Sequence, residues 1–541
     1  MADSKLMTPS PSAVLDEAHL GDIQGAFGTI KRQDTGARTS WKARLLTLLA
    51  VMGPGLIVMV GDNDAGGVAT YAQAGQNFGT SVLWVLLLLI PVLIVNQEMV
   101  VRLGLVTGVG HARLIIERFG KFWGAFSVGD LFILNFLTIV TEFIGISLAM
   151  AHFGVSPYIS VPVAAGGLLA ITMTGSFRRW EQFMYIFVVT NFLAIPLAIM
   201  SHPAIGPVVH GFLVPGIRGG LTSTAMLLII GIVGTTVAPW QLFFQQSNVI
   251  DKRLTPRWMD YERLDTIIGA FIVVIGAAAL MIVTAFGLGT GRFAGHFVNA
   301  GTVAGELAQT INPVAGGLFA ILLLNASIIG AAAVTLSTSY AFGDVFGIRH
   351  SLHRTFRDAL GFYTIYAGIV LLAAAIVLIP RAPLGLITLA VQALAGLLLP
   401  SASVFLLLLC NDPSVLGPWV NRAWLNAVAT VIITVLVMLS LILGATTMFP
   451  RIDVTMLTIV VGCLGAALLL VGGAVSMMRR GRRPVLVPET VDKQSWRMPS
   501  LALLSKPVWS PARKAAMLGL QAYLALAVVM MIVKVVQLAG G

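Results

Sequence analysis

Gly61-Asp62-Asn63-Asp64-Ala65-Gly66-Gly67 interrupts an otherwise apolar run near residues 45–77. Two carboxylates and an amide near the middle of a bilayer-length segment are expensive in lipid, and three glycines weaken helix continuity. Non-helical backbone at that depth persists only where protein buries it or where it lines a cavity. A second interruption, Gly234-Thr235-Thr236-Val237-Ala238-Pro239-Trp240-Gln241, falls in the run 223–250. There Pro239 removes an amide donor and crowds the preceding turn, which frees carbonyls near Thr235 and Ala238. A Val-Gly pair stands before each break, at Val60-Gly61 and Val233-Gly234.

The rest of the chain shows what these breaks are set in. Of 541 residues, 57% are hydrophobic and 11% charged, against about 45–50% and about 25% in soluble domains. With a mean hydropathy of +0.91, the chain reads as an all-α polytopic membrane protein. Bilayer-length runs lie near 45–77, 80–101, 122–153, 157–176, 181–204, 223–250, 261–290, 312–346, 360–380, 384–410, 422–447 and 453–478, with a further candidate at 515–538. The polar first 44 residues lack the pattern of a signal peptide. Cys410 and Cys463 both lie in apolar runs, so neither a disulfide framework nor a thiolate metal cluster is expected. Placing the N-terminus in the cytoplasm puts 29 Lys and Arg on inside segments and four outside, at Arg218, Arg292, Arg381 and Arg451. That asymmetry sets membrane orientation. The net charge of +11 therefore needs no nucleic-acid partner.

The interrupted spans are the first and the sixth. Broken helices at matching positions of two five-helix halves mark an inverted-repeat transporter. The expected division is a cytoplasmic segment 1–44, a first repeat 45–210, a second repeat 211–412, spans 11 and 12 in 413–478, a basic cytoplasmic loop 479–514 and a possible extra span in 515–541. Gly-rich or Pro-containing spans also serve as kinks and close-packing sites. An intramembrane carboxylate favours a functional break, because ionisable groups at that depth are functional by default. Unwound carbonyls and half-helix C-termini attract cations, and Asp64 is the natural carboxylate ligand.

The ordered motifs resemble the Nramp divalent-metal transporters. They are Gly53-Pro54-Gly55, the Asp64 break, Gln73-Ala74-Gly75, Gln97, Arg102-Leu103-Gly104, Thr107-Gly108, Glu142-Phe143-Ile144-Gly145, the sixth-span break, Gln392 eight residues before Pro400, and Asn411-Asp412. The resemblance runs from about residue 45 to 425. It implies a LeuT-type fold, with spans 1–5 and 6–10 as inverted repeats, further C-terminal spans and a cytoplasmic N-terminus. The departures resemble a divergent branch, the Nramp-related magnesium transporters. Where the family has Asp-Pro-Gly-Asn, this chain has Asp64-Ala65-Gly66-Gly67, and where it has Met-Pro-His, this chain has Ala238-Pro239-Trp240. Glu142 remains, but its family partner position is Ile139.

A thioether favours soft ions, whereas Mg²⁺ takes oxygen ligands and keeps several waters. Loss of the Met and Asn ligands is expected to enlarge the cavity for a partly hydrated ion. The remaining ligands are the Asp64 carboxylate, the carbonyls of Gly61 and Thr235 and the Gln392 amide, with Gly67 and Ala238 marking the departed ligands. Asp62 is either a second carboxylate for a hydrated cation or a helix-end residue facing a vestibule. Glu142 reads as ion path, as the remnant of a proton route or as a neutral packed acid, and Trp240 as a path residue or a volume filler. The expected function is uptake of Mg²⁺, and also Mn²⁺, across the plasma (inner) membrane without proton coupling. The alternative is a proton-coupled Mn²⁺/Fe²⁺ symporter. The ion is substrate, the chain sits in the lipid bilayer, and neither a cofactor nor an obligatory protein partner is expected. An enzyme would need a nucleophile with a base, or a zinc pair at helical spacing, inside the spans; the sequence offers neither.

Overall fold

The computed structural model describes residues 16–379, 384–449, 451–479, 493–494, 496–504 and scattered positions of 514–529. It is helical apart from one two-stranded hairpin, β1 (Ile23–Gly25) and β2 (Gly28–Ile30), paired antiparallel with Ile23 opposite Ile30. Among the described residues ten helices are long and apolar enough to cross a membrane, or eleven if the bent pair Trp41–Val51 and Pro54–Gly61 is one span. The expected extra span at 515–538 and most of the basic loop 479–514 lie outside the described residues.

Span 1 differs from the single interrupted run 45–77. Trp41–Val51 is a separate helix, bent by 51° from half-helix 1a (Pro54–Gly61), and half-helix 1b (Ala65–Phe78) follows the break. The bend sits at Met52-Gly53, where Gly53 has φ 152, a region that side chains with a Cβ rarely enter. Spans 2 and 3 are Leu83–Thr107 and Lys121–His152. Span 4 is a shorter apolar helix, Pro157–Thr172, and span 5 covers Phe177–Met200. Span 6 divides into half-helix 6a (Ser223–Thr236) and half-helix 6b (Pro239–Asp251). Spans 7 to 12 begin with Pro256–Gly287, Pro313–Phe346 and Leu360–Val377, and continue with Leu384–Cys410, Ala423–Met448 and Val454–Arg479.

Glycine brings the central helices together. A Cβ on Gly234 would lie 2.3 Å from the Gly396 nitrogen, so half-helix 6a and span 10 touch backbone to backbone. Small residues permit such close crossings in membranes. Half-helix 1a is tied from outside itself. The Asp265 carboxylate of span 7 accepts the N–H groups of Gly53 (3.0 Å), Gly55 (2.7 Å) and Leu56 (3.3 Å). Lys252 at the end of 6b donates to the Met52 carbonyl (2.8 Å) and to Glu181 of span 5 (2.5 Å).

The N-terminal segment is docked on these same helix ends. Ala26 donates to Glu181 and accepts from Gln182, and Arg253 donates to the carbonyls of Ala18 and Asp22. Arg257 donates to the carbonyls of Asp34 and Gly36, and Arg354 pairs with Asp16 at 2.6 Å. Burial opposes ionisation of Asp16, yet His19 and Arg354 hold its carboxyl below the usual range.

Candidate metal site

The break in span 1 begins as half-helix 1a tightens at its end, with Asp62 and Asn63 donating to the Met59 and Val60 carbonyls at 3.2 and 3.1 Å. The chain then extends at Asp64 (φ −70, ψ −179), whose carboxylate accepts the Gly67 N–H at 2.6 Å. Asp64 is thus the N-cap of half-helix 1b, and its carboxyl group sits at the positive end of that helix. Asp62, Asn63 and Asp64 are all buried.

Other elements close on this point. Thr235 of half-helix 6a directs its hydroxyl, rather than only its expected carbonyl, to Asp64 Oδ1 at 3.4 Å. Glu142 of span 3 accepts the Ala65 N–H at 3.1 Å. Span 8 approaches at Gly330, where a Cβ would lie 2.7 Å from Glu142 Oε2 and 3.0 Å from Asp64 Cβ. Span 10 brings Gln392 onto Gly66, where a Cβ would fall 1.6 Å from its amide nitrogen. Trp240 of half-helix 6b lays its ring over Gly61, 3.2 Å from where a Cβ would stand. Ala238, buried and extended at φ −83 and ψ 146, caps 6b without a side-chain bond. Of the residues singled out in the sequence, Asp64, Thr235, Gly67, Gln392 and Glu142 therefore meet at one place. Gly61 and Trp240 form the adjoining floor.

The space at Gly67 corrects one expectation. A Cβ there would sit 2.8 Å from the Asp62 carbonyl, 3.0 Å from Thr235 Oγ1 and 3.3 Å from the Tyr71 ring. The missing side chain has not left a wider cavity in this conformation, because the first-span backbone and Tyr71 occupy that volume. Tyr71 is a site residue that the sequence reading passed over. Its hydroxyl lies 2.7 Å from Thr236 Oγ1, joining the two half-helix pairs. The available signal was its spacing, four residues after Gly67 on the same helix face.

Several buried polar atoms here have no hydrogen-bond partner among the described residues. They are both Asp62 carboxylate oxygens, Glu142 Oε1, Asn63 Oδ1, Gln392 Nε2 and Trp240 Nε1. Buried polar groups normally have a partner. The unpartnered oxygens of Asp62 and Glu142 are the kind of ligand that a hard, partly hydrated cation takes, whereas Gln392 Nε2 and Trp240 Nε1 are N–H donors and the Asn63 amide turns to span 7, donating to the Val273 carbonyl at 3.1 Å. Among the described residues no group of three or more His, Cys, Asp or Glu could hold a metal. An ion would thus have to complete its shell with backbone, amide and water oxygens.

Two interrupted helices that meet around buried carboxylates define a LeuT-type transporter. The Nramp family, described as Natural resistance-associated macrophage protein-like, matches residues 55–446, and the chain belongs to it. It is a multi-pass divalent metal cation transporter. Among its relatives, the divalent metal cation transporter MntH of Latilactobacillus sakei subsp. sakei is 28% identical over 430 residues, covering 74% of this chain and 90% of the relative. That of Pediococcus pentosaceus is 26% identical over 452 residues, covering 80% and 98%. The crystal structure of the Eremococcus coleocola manganese transporter superposes with a TM-score of 0.61 at 20% identity, over 82% of this chain and 95% of that one. At that identity the likeness speaks for the fold.

Proposed function

We propose that the chain takes up Mg²⁺, and also Mn²⁺, across the plasma membrane without moving protons. In this reading the N-terminus is cytoplasmic, Asp64 is the charged ligand, and Asp62 holds water of the incoming ion. The observation that carries it is the buried Asp62, whose two oxygens lack partners among the described residues two positions from Asp64, together with a sixth span that offers a methyl group at Ala238 and a non-titrating indole at Trp240. Oxygen donors with retained water suit Mg²⁺ and serve Mn²⁺ as well. The membrane potential suffices as driving force. At about 2.3 kcal/mol per charge per 100 mV, a divalent ion gains about 4.6 kcal/mol, near a 10³-fold accumulation.

A second reading, a proton-coupled Mn²⁺/Fe²⁺ symporter, draws support from Glu142, which sits beside Asp64 with Oε1 unpartnered among the described residues. Flux of Mg²⁺, Mn²⁺ and Ca²⁺ into proteoliposomes that contain a pH dye separates the readings. Mg²⁺ entry at constant lumenal pH is expected, and acidification driven by metal entry would overturn the uncoupled reading.

A further inference from the structure

Away from the central site, a cavity of about 310 Å³ opens between the ends of spans 2, 7 and 11. Four cations line it, Arg102, Arg263, Arg422 and Lys493, against one carboxylate, Glu98. Glu98 is already shared between Arg102 at 3.0 Å and Arg263 at 2.7 Å, and Arg263 also meets the exposed Asp260 at 3.2 Å, which leaves Arg422 and Lys493 facing the cavity with no carboxylate of their own among the described residues. Arg102 is 4% exposed, and its remaining bonds go to the Trp419 carbonyl and to Asn421, both at 2.6 Å. Its buried Nε has no partner among the described residues. Lys493 lies 4.3 Å over the Trp419 ring. Burial and the nearby guanidiniums of Arg422, Arg263 and Arg102 hold its ammonium below the ordinary lysine range. Cations crowded in this way repel one another unless an anion joins them. The first turn of Ala423–Met448 adds to the field, because Arg422 at its N-cap makes no side-chain cap bond and helix N-termini attract anions.

The rest of the wall identifies the anion's source. Ile94 and Leu425 are apolar, and Trp424 is 61% exposed at the end of a long apolar helix. Tryptophan and basic side chains together mark the headgroup level of a membrane. We propose that this cavity binds the phosphate of an anionic phospholipid, with the acyl chains lying along spans 2 and 11. A free phosphate offers the same charge but nothing to the apolar wall. Under the orientation proposed above, these helix ends face the cytoplasmic leaflet.

The test is lipid retention by the full chain in detergent, read by native mass spectrometry, with phosphatidylglycerol, phosphatidylcholine and inorganic phosphate as probes. Phosphatidylglycerol is expected to stay bound in preference to phosphatidylcholine, and millimolar phosphate is expected not to displace it. The double variant Arg422→Gln/Lys493→Gln should lose about thirtyfold in phosphatidylglycerol retention. Both side chains are exposed, so folding should survive, and thermal melting without added lipid checks that it does. Arg451→Gln, beyond the cavity, should retain lipid like the unaltered chain. Equal retention by the double variant and the unaltered chain overturns the proposal. Displacement by inorganic phosphate also overturns it, in favour of a soluble anion.

Discussion

The two helix breaks are alike in geometry and opposite in chemistry. In each, a half-helix ends, the chain extends, and a second half-helix begins at a residue in the β region, Asp64 in one case and Ala238 in the other. The first break carries carboxyl groups and is self-capped, with Asp64 accepting from Gly67. The second has a methyl side chain at the cap and relies on Pro239, whose missing N–H needs no partner at the first helical position. One repeat supplies the formal charge, and the other supplies the Thr235 hydroxyl and the indole that closes over Gly61. Pairing alone opens the backbone; the residue at the cap decides what that opening attracts.

The contrast breaks first at Asp64. Asp64→Ala is expected to lower Mg²⁺ flux into proteoliposomes by at least about 10²-fold, since even indirect partners of a metal ligand cost 10–100-fold. Asp64→Asn can still cap half-helix 1b, so it should melt near the unaltered temperature and still fail to transport. Undiminished flux in either well-folded variant would move the ion elsewhere.

A smaller effect is expected where span 7 holds the charged repeat. Asp265→Ala leaves three N–H groups of residues 53–56 without their acceptor. Charge-assisted hydrogen bonds contribute about 1.5–3 kcal/mol each when broken singly. Three bonds that share one acceptor oxygen are not additive, so a loss of at least about 2–3 kcal/mol in stability is expected, visible as a lower melting temperature in detergent. An unchanged melting temperature would mean that half-helix 1a does not depend on this cap.

Gly67→Ala sharpens the same point by volume alone. The added Cβ would meet the Asp62 carbonyl at 2.8 Å, and backbone cannot turn aside as a flexible side chain can. Overpacking of this kind costs about 1–3 kcal/mol, so weaker Mg²⁺ binding by calorimetry is expected. Tighter binding would show that position 67 opens onto space in the metal-bound state.

Much of this was legible before any coordinates. The order of the spans follows from apolar length, and both breaks follow from residues that lipid tolerates poorly. Asp64, Thr235, Gln392 and Glu142 were named and do converge. What escaped depends on contacts distant in sequence. Tyr71 reads as one more aromatic in an apolar run until Thr236 is found beside it. The docked segment 16–38 has short, polar, turn-rich sequence, and its partners are Glu181, Arg253 and Arg257 at helix ends and Arg354 in the loop between spans 8 and 9. Glu98 and Asp265, acidic residues near span ends, likewise act between helices, one toward Arg263 of span 7 and the other toward the N–H groups of half-helix 1a.

The smallest expected effect concerns the uncharged break. If the methyl group at Ala238 is what leaves the site hard, Ala238→Met should favour Cd²⁺ over Mg²⁺, because a thioether prefers soft ions. The gain should be several-fold, on the order of 1 kcal/mol, since in the proposed site Asp64 and its oxygen neighbours would still dominate the shell. Bulk confounds the comparison. Ala238 is buried at a cap beside Trp240, so any longer side chain displaces water that Mg²⁺ would keep. Ala238→Leu adds similar volume without sulfur and therefore carries the cost of bulk alone. Both variants should lose Mg²⁺ affinity to a similar degree, and only the Met variant should gain Cd²⁺ affinity in competition binding. Equal Cd²⁺ affinity in the two would mean that a side chain at 238 does not reach the ion. The second break would then contribute only backbone and the Thr235 hydroxyl, and the hardness of the site would belong entirely to the first.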